Sequence, residues 1–248
     1  MDIIFYVKRF IISYAVDNFY SILKYFSMAG TSCKVYTSVF FHDFSHMRAE
    51  FENGSMDFSN SYEIRYDLFG CRDTANLGKI LEYLNKNLVD YIFTFRSRQP
   101  DQITTIYNYA MNYSPPTVDV DIGSFNFRRD LFNDTNLMVS FHGLNDDNVH
   151  LILNNMSALS PDIYKIALLY NDTGKFLEDI DYLYHYKKEH TIKLAYIPMG
   201  NNNSLFRLFS AIAVSDYAYA SYKHATAPGQ IEASEFISLL NRFREKYE

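Results

Sequence analysis

Strand-like and helix-like segments alternate from residue 34 to the end of this chain, and that regularity limits the folds open to it more than any single motif. The strand candidates are Lys34–Phe40, Tyr62–Leu68, Tyr91–Arg96, Thr117–Ile122, Leu137–His142, Ile163–Leu168, Ile192–Ile197 and Ser215–Ala220. Each is short, and most are rich in Val, Ile, Tyr, Phe or Thr, side chains that suit a half-buried pleated surface. Between them the clearest helical stretches are Ala75–Asn87, Asp101–Asn112, Asp146–Leu159, Lys175–Lys188 and Ile231–Arg244. Eight strands with eight following helices in about 215 residues fit an α/β fold of the (β/α)8 TIM barrel type. A doubly wound sheet competes, but no glycine-rich phosphate turn follows any strand. Residues 32–248 carry no low-complexity tract or charge block, so one catalytic barrel domain is expected there.

Residues 1–31 read differently. Ile3, Ile4, Val7, Phe10, Ile11, Tyr14, Phe19, Ile22, Leu23 and Phe26 recur at three- and four-residue steps, the mark of an amphipathic helix. Lys8, Arg9, Asp17 and Lys24 interrupt the apolar run, which falls short of the roughly 20 residues a membrane span needs. Asp2 precedes that run where a secretory signal would carry positive charge. An N-terminal helical extension packed on the barrel or on a second subunit is expected. A helix lying on a membrane surface, or a true start at Met28, are the alternatives.

The chain has 248 residues with 23 Lys and Arg against 29 Asp and Glu, a net charge of −6. That balance gives no basic footprint for nucleic acid. Two cysteines, Cys33 and Cys71, build neither a disulfide scaffold nor a four-thiolate zinc site, so a reduced, cytoplasmic protein is expected. His42 and His46 stand four residues apart but lack the Glu of a metal-binding helix, and no metal is expected.

The informative anomaly is where charges fall within strands. Residues two apart share a strand face. In Tyr62–Leu68 this puts Glu63, Arg65 and Asp67 on one face and Ile64, Tyr66 and Leu68 on the other. The apolar face of a barrel strand meets the helices, so the charges point into the lumen. The same argument turns Asp119 and Asp121 inward, then Ser140 and His142, then Lys165 with Ile163 and Ala167. A buried Lys is rarely found without a partner or a task. One reading is a salt bridge to Asp119, Asp121 or Glu63 that only ties the lumen together. The other is a nucleophilic amine, made neutral by burial and by nearby Arg or His. His142, near the C-terminal end of a strand beside that of Lys165, lies where barrel active sites form.

Six segments, in order, resemble the type I 3-dehydroquinase family. "YEIRYDLF" (62–69) is similar to the family's Glu-x-Arg-x-Asp strand, and "IFTFRS" (92–97) to a strand ending in a substrate-binding Arg. "VSFHG" (139–143) resembles the strand of the catalytic His, and "PDIYKIALL" (161–169) that of the Schiff-base Lys. "IPMGNNNSLFR" (197–207) resembles the loop leading to a carboxylate-binding Arg, and "ATAPGQI" (225–231) the closing Ala-Ser-Ala-Pro-Gly-Gln-Ile segment. The resemblance implies dehydration of 3-dehydroquinate to 3-dehydroshikimate, with Lys165 forming the imine and His142 acting as general base and acid. It implies that Glu63, Arg65 and Arg96 hold ring hydroxyls, with Asp67 orienting Arg65 or a neighbour. It places Arg207, Thr226 and Gln230 on the substrate carboxylate, and Tyr219 where the family often has a lumen-lining Phe. Asp119 is expected to orient His142. No organic cofactor is needed, because the imine itself supplies the electron sink, and a homodimer is the expected assembly. The family's Gly and Ser before the Arg are Asn203 and Phe206 here, and an acidic residue after the third strand is Pro100. The rival readings are a barrel that has lost catalysis and another lysine-imine barrel of the class I aldolase kind. Joint retention of Lys165, His142 and Arg207 argues against the first, and the Ala-Pro-Gly-Gln segment against the second.

Overall fold

The computed structural model describes residues 33–56, 59–124, 126–144, 146–200 and 204–247. The expected N-terminal extension, residues 1–31, and Asn203 lie outside these residues. Eight strands follow in chain order: β1 Lys34–Val39, β2 Ser61–Arg65, β3 Asp90–Thr94, β4 Thr117–Asp121, β5 Asn136–Leu144, β6 Ile163–Leu169, β7 Lys193–Met199 and β8 Tyr217–Ser221. All ladders are parallel and run β7-β6-β5-β4-β3-β2-β1-β8. The remaining gap, from β7 to β8, is bridged by the residues that lead into β8. Leu194 N donates to Asp216 Oδ2 at 2.7 Å, Asp216 N to Leu194 O at 2.7 Å, and Tyr196 N to Ser215 Oγ at 3.0 Å. The result is the (β/α)8 architecture, curled into a barrel.

Seven helices cover the described barrel: α1 Phe44–Glu52, α2 Thr74–Lys86, α3 Pro100–Met111, α4 Val149–Ser157, α5 Thr173–Glu189, α6 Ser204–Ala213 and α7 Ala233–Tyr247. Asp43, Asp73, Asn148 and Asp172 cap α1, α2, α4 and α5, each side chain accepting from a backbone N–H three residues on. Pro100 opens α3, where its missing N–H costs nothing. The eighth helix is absent from the described residues. Only two 3₁₀ turns, Ile122–Ser124 and Arg129–Phe132, stand between β4 and β5.

Two apolar layers position the site. Between strands and helices lie Ile64, Phe93, Val118, Val120, Val139, Ile166 and Leu168, all buried. Inside the barrel, Tyr36, Ile92, Met138, Ile163, Ala195 and Tyr219 pack together across the lumen. Ionisable side chains occupy the lumen above this plug, toward the C-terminal ends of the strands.

Candidate active site

Lys165, in the middle of β6, is 5% exposed and reaches a cavity of about 330 Å³ at the top of the barrel. Its Nζ donates to Glu63 Oε1 at 2.9 Å and to Asp119 Oδ2 at 2.7 Å, and lies 4.0 Å from the centre of the Tyr219 ring. The groups in contact with the amine are thus two carboxylates and an aromatic face, not the cations expected. Asp119 is therefore committed to Lys165 and to Arg96, whose Nη2 donates to Asp119 Oδ2 at 2.7 Å and to Ser140 Oγ at 2.8 Å.

That arrangement corrects one expectation. The carboxylate beside His142 is Asp121: its Oδ2 lies 2.9 Å from His142 Nδ1. The two aspartates share a strand face, but Asp121 stands one pleat higher, at the level of the mouth. Strand alternation gave the face of both and the height of neither.

Glu63 is buried and fully hydrogen-bonded. Its Oε1 also accepts from Thr94 Oγ1 at 3.2 Å, and its Oε2 from Ser38 Oγ at 2.6 Å. Burial alone would push its carboxyl up, but the Lys165 ammonium and Arg65 outweigh burial and hold it below the usual carboxylate range. Asp119 is held down in the same way against burial, by Arg96 and Lys165. Asp67 grips Arg65, accepting from Nε at 3.0 Å and Nη2 at 2.7 Å. Asp67 does so from a 3₁₀ turn, Tyr66–Leu68, because β2 ends at Arg65 and not at Leu68.

The opposite wall comes from α6 and the segment after β8. Arg207 is 5% exposed; its Nη2 donates to Pro228 O at 2.9 Å, and its Nε is buried with no hydrogen-bond partner. Among the described residues no carboxylate pairs with it, and burial pushes its pKa down to about 10. Gln230 Oε1 accepts from Thr226 N at 2.6 Å and Thr226 Oγ1 at 3.0 Å, while its Nε2 donates to Ser38 Oγ at 3.3 Å. Phe206 points away from the cavity and stacks on Phe176, ring centres 4.2 Å apart.

Lys165, His142, Glu63, Arg65, Arg96, Arg207, Tyr219, Thr226 and Gln230 all line this one cavity, and Asp67 and Asp119 stand behind its wall. Asp121, Thr94, Ala167, Ile197, Met199 and Ala227 line it as well. Ser38, which joins Glu63 to Gln230, escaped the sequence reading, although alternation along β1 puts it on the inward face with Tyr36. The arrangement offers a buried primary amine, an imidazole at the mouth, and a guanidinium without a counter-ion. No cluster of three or more potential metal ligands occurs among the described residues, and no described helix is long and apolar enough to cross a membrane.

Comparison with known proteins gives consistent matches. The family described as "Type I 3-dehydroquinase" matches residues 35–246. The 3-dehydroquinate dehydratase of Thermoplasma volcanium is 35% identical over 221 residues, which cover 88% of this chain and 93% of that protein. The enzyme of the same description from Thermoplasma acidophilum is 28% identical over 202 residues, covering 82% and 86%. Among solved structures, the 3-dehydroquinate dehydratase of Geobacillus kaustophilus superposes with a TM-score of 0.77 at 18% identity, covering 88% of this chain and 94% of its own. That of Aquifex aeolicus gives 0.71 at 20% identity, covering 86% and 99%. At such identities the structures speak for the shared barrel.

Proposed function

The chain belongs to the type I 3-dehydroquinase family, hydro-lyases of the shikimate pathway, and from that premise we propose that it dehydrates 3-dehydroquinate through an imine on Lys165 with His142 as general base and acid. The observation that carries this reading is Lys165 itself, a buried primary amine facing a substrate-sized cavity with His142 on the neighbouring strand.

The chemistry needs such an amine. The proton next to a plain ketone is weakly acidic, and the departing hydroxyl is a poor leaving group. Lys165 Nζ first gives a proton to a neighbouring acceptor, Glu63 and Asp119 being in contact, and attacks the C3 carbonyl carbon. Loss of water leaves a protonated imine, which draws electrons toward nitrogen. His142 then takes the C2 proton, and the C–H electron pair moves into the imine to form an enamine. The imidazolium returns that proton to the leaving hydroxyl as the enamine collapses, releasing a second water and restoring the imine. Hydrolysis consumes one water and frees Lys165 and 3-dehydroshikimate. The net change is loss of one water.

Binding follows from charge. Arg207 offers an unanswered guanidinium to the substrate carboxylate, with Thr226 and Gln230 beside it. Arg65 and Arg96, each already held by an aspartate, are fixed donors for ring hydroxyls, with Glu63 as acceptor. Lys165→Ala abolishes formation of the conjugated enone, followed by its ultraviolet absorbance. It also takes from buried Glu63 its ion-pair partner and leaves Asp119 with Arg96 alone, at a cost of about 3–5 kcal/mol, so folding of the variant is checked by circular dichroism. His142→Ala slows turnover while imine still accumulates. A folded Lys165→Ala protein that turns over normally would overturn the proposal.

A further inference from the structure

Helix α6 lacks the polar side that a barrel helix, lying in the outermost ring of the fold, normally turns to solvent. Arg207, Ser210 and Ala211 form the side facing the barrel: Arg207 lines the cavity, and Ser210 Oγ donates to Tyr196 O of β7 at 2.6 Å. On the 3.6-residue repeat the opposite side is Leu205, Leu208, Phe209 and Ile212, with no polar group among them. Strands β7 and β8 lie beneath α6, while α5 and α7 flank it. Phe209 meets Phe176 of α5, and Leu208 and Ile212 share an apolar cluster with Phe236 and Leu240 of α7. Flanking helices leave the crest of such a stripe open. Yet Leu208, Phe209 and Ile212 are only 7%, 9% and 9% exposed within a single chain.

The cover is therefore intramolecular, and one segment of the sequence suits it. The apolar positions of residues 3–26 recur at helical steps and need a face to bury against. That segment joins the barrel at Cys33, which is buried in the same apolar cluster as Leu208, Ala211 and Ile212. As a helix it would measure about 35 Å, at about 1.5 Å per residue, enough to cross α6 and reach the helices on either side. We infer that residues 1–31 lie along the outward stripe of α6 in the same chain and brace, from behind, the helix that carries Arg207. Lys8, Arg9, Asp17 and Lys24, set between the apolar positions, give this side of the molecule the polar surface that α6 lacks. The family match starts at residue 35, so the brace is an addition to the shared barrel.

Leu205, on the stripe and only half-buried, is the place for a probe. In the full-length protein it is replaced by the photoreactive residue p-benzoylphenylalanine, and the irradiated protein is digested and analysed by mass spectrometry. The expected product joins residue 205 to a peptide from residues 1–31 and keeps the mass of one chain under denaturing conditions. A product of twice that mass would show a second copy on the stripe and overturn the inference. So would links confined to residues 33–248, or none. A second arm puts charge into the apolar positions with Val7→Asp and Ile11→Asp together, again in the full-length protein. Amide hydrogen exchange across Ser204–Ala213 then quickens about threefold or more, while exchange in α2 stays as in wild type. A smaller change in α6 overturns the bracing role. The photochemical link is read with residues 1–31 unaltered, so it decides the placement even if the charged variant fails to fold.

Discussion

Arg207 carries a full charge where burial alone argues against one. Even with its pKa pushed down to about 10, the guanidinium is protonated near neutral pH, and its Nε has no hydrogen-bond partner. A buried cation in this condition stores unfavourable energy that a bound carboxylate relieves. Truncation to Arg207→Ala should therefore act on binding. A hydrogen bond to a charged group is worth about 1.5–3 kcal/mol, so KM for 3-dehydroquinate should rise roughly tenfold to hundredfold with kcat less affected. Arg207→Lys should recover only part, because an ammonium keeps the charge and loses the planar fork. Steady-state kinetics on the two variants decide it; an unchanged KM in Arg207→Ala would move the carboxylate elsewhere. At this scale the placement of Lys165 and Glu63 was legible because motif and strand alternation agreed, while Arg207, on α6, was reached through the motif alone. It misled at Asp119, because an Asp-x-Asp pair says which way two side chains face and not which neighbour each meets.

Among the elements, the segments after β7 and β8 clasp one another over the cavity. Arg207 of α6 donates to Pro228 O, and Gly229 lies against Gly200 with φ of 74°. A Cβ at Gly229 would come 2.1 Å from Gly200 O, a backbone atom that cannot swing aside as a side-chain tip can. Gly229→Ala should thus open the clasp. The left-handed conformation costs a non-glycine residue about 1–3 kcal/mol before the clash is counted. If that falls on the closed arrangement, KM should rise roughly 5- to 100-fold while the barrel melts near the wild-type temperature, measured by kinetics and thermal denaturation together. A large drop in melting temperature with KM unchanged would show that the glycine serves the fold alone. The elements themselves were unevenly legible. Strands with alternating charges declared themselves, yet β2 was read three residues too long because Arg65 and Asp67 keep the same spacing into a 3₁₀ turn. Helix α1 buries little beyond Met47 and so shows little of the one-sided stripe that marks a surface helix, whereas α6 is buried along nearly its whole length, Arg207 and Ser210 included. The eighth helix was inferred from the repeat, and the short stretch between β4 and β5 breaks the repeat.

Over the whole molecule, the parallel ladder and the apolar plug beneath it place every polar lumen residue toward one end of the barrel. Seven strands, helix α6 and the segments after β3 and β8 contribute to a single cavity, from Glu63 on β2 to Gln230 beyond β8. Apart from Glu63 with Arg65 on β2 and Thr226 with Gln230 beyond β8, the principal groups stand far apart in sequence, which is why the site appears only once the strands are ordered in parallel. The central claim is that this assembly exists to make Lys165 a nucleophile. Its most direct test is reductive trapping: the full-length protein is mixed with 3-dehydroquinate and sodium borohydride, digested, and the peptide containing Lys165 is weighed. The account predicts a ligand-derived mass on Lys165, formed in step with loss of activity and absent from Lys165→Ala. A protein that turns over 3-dehydroquinate under these conditions with the adduct on another lysine, or with none, would contradict it.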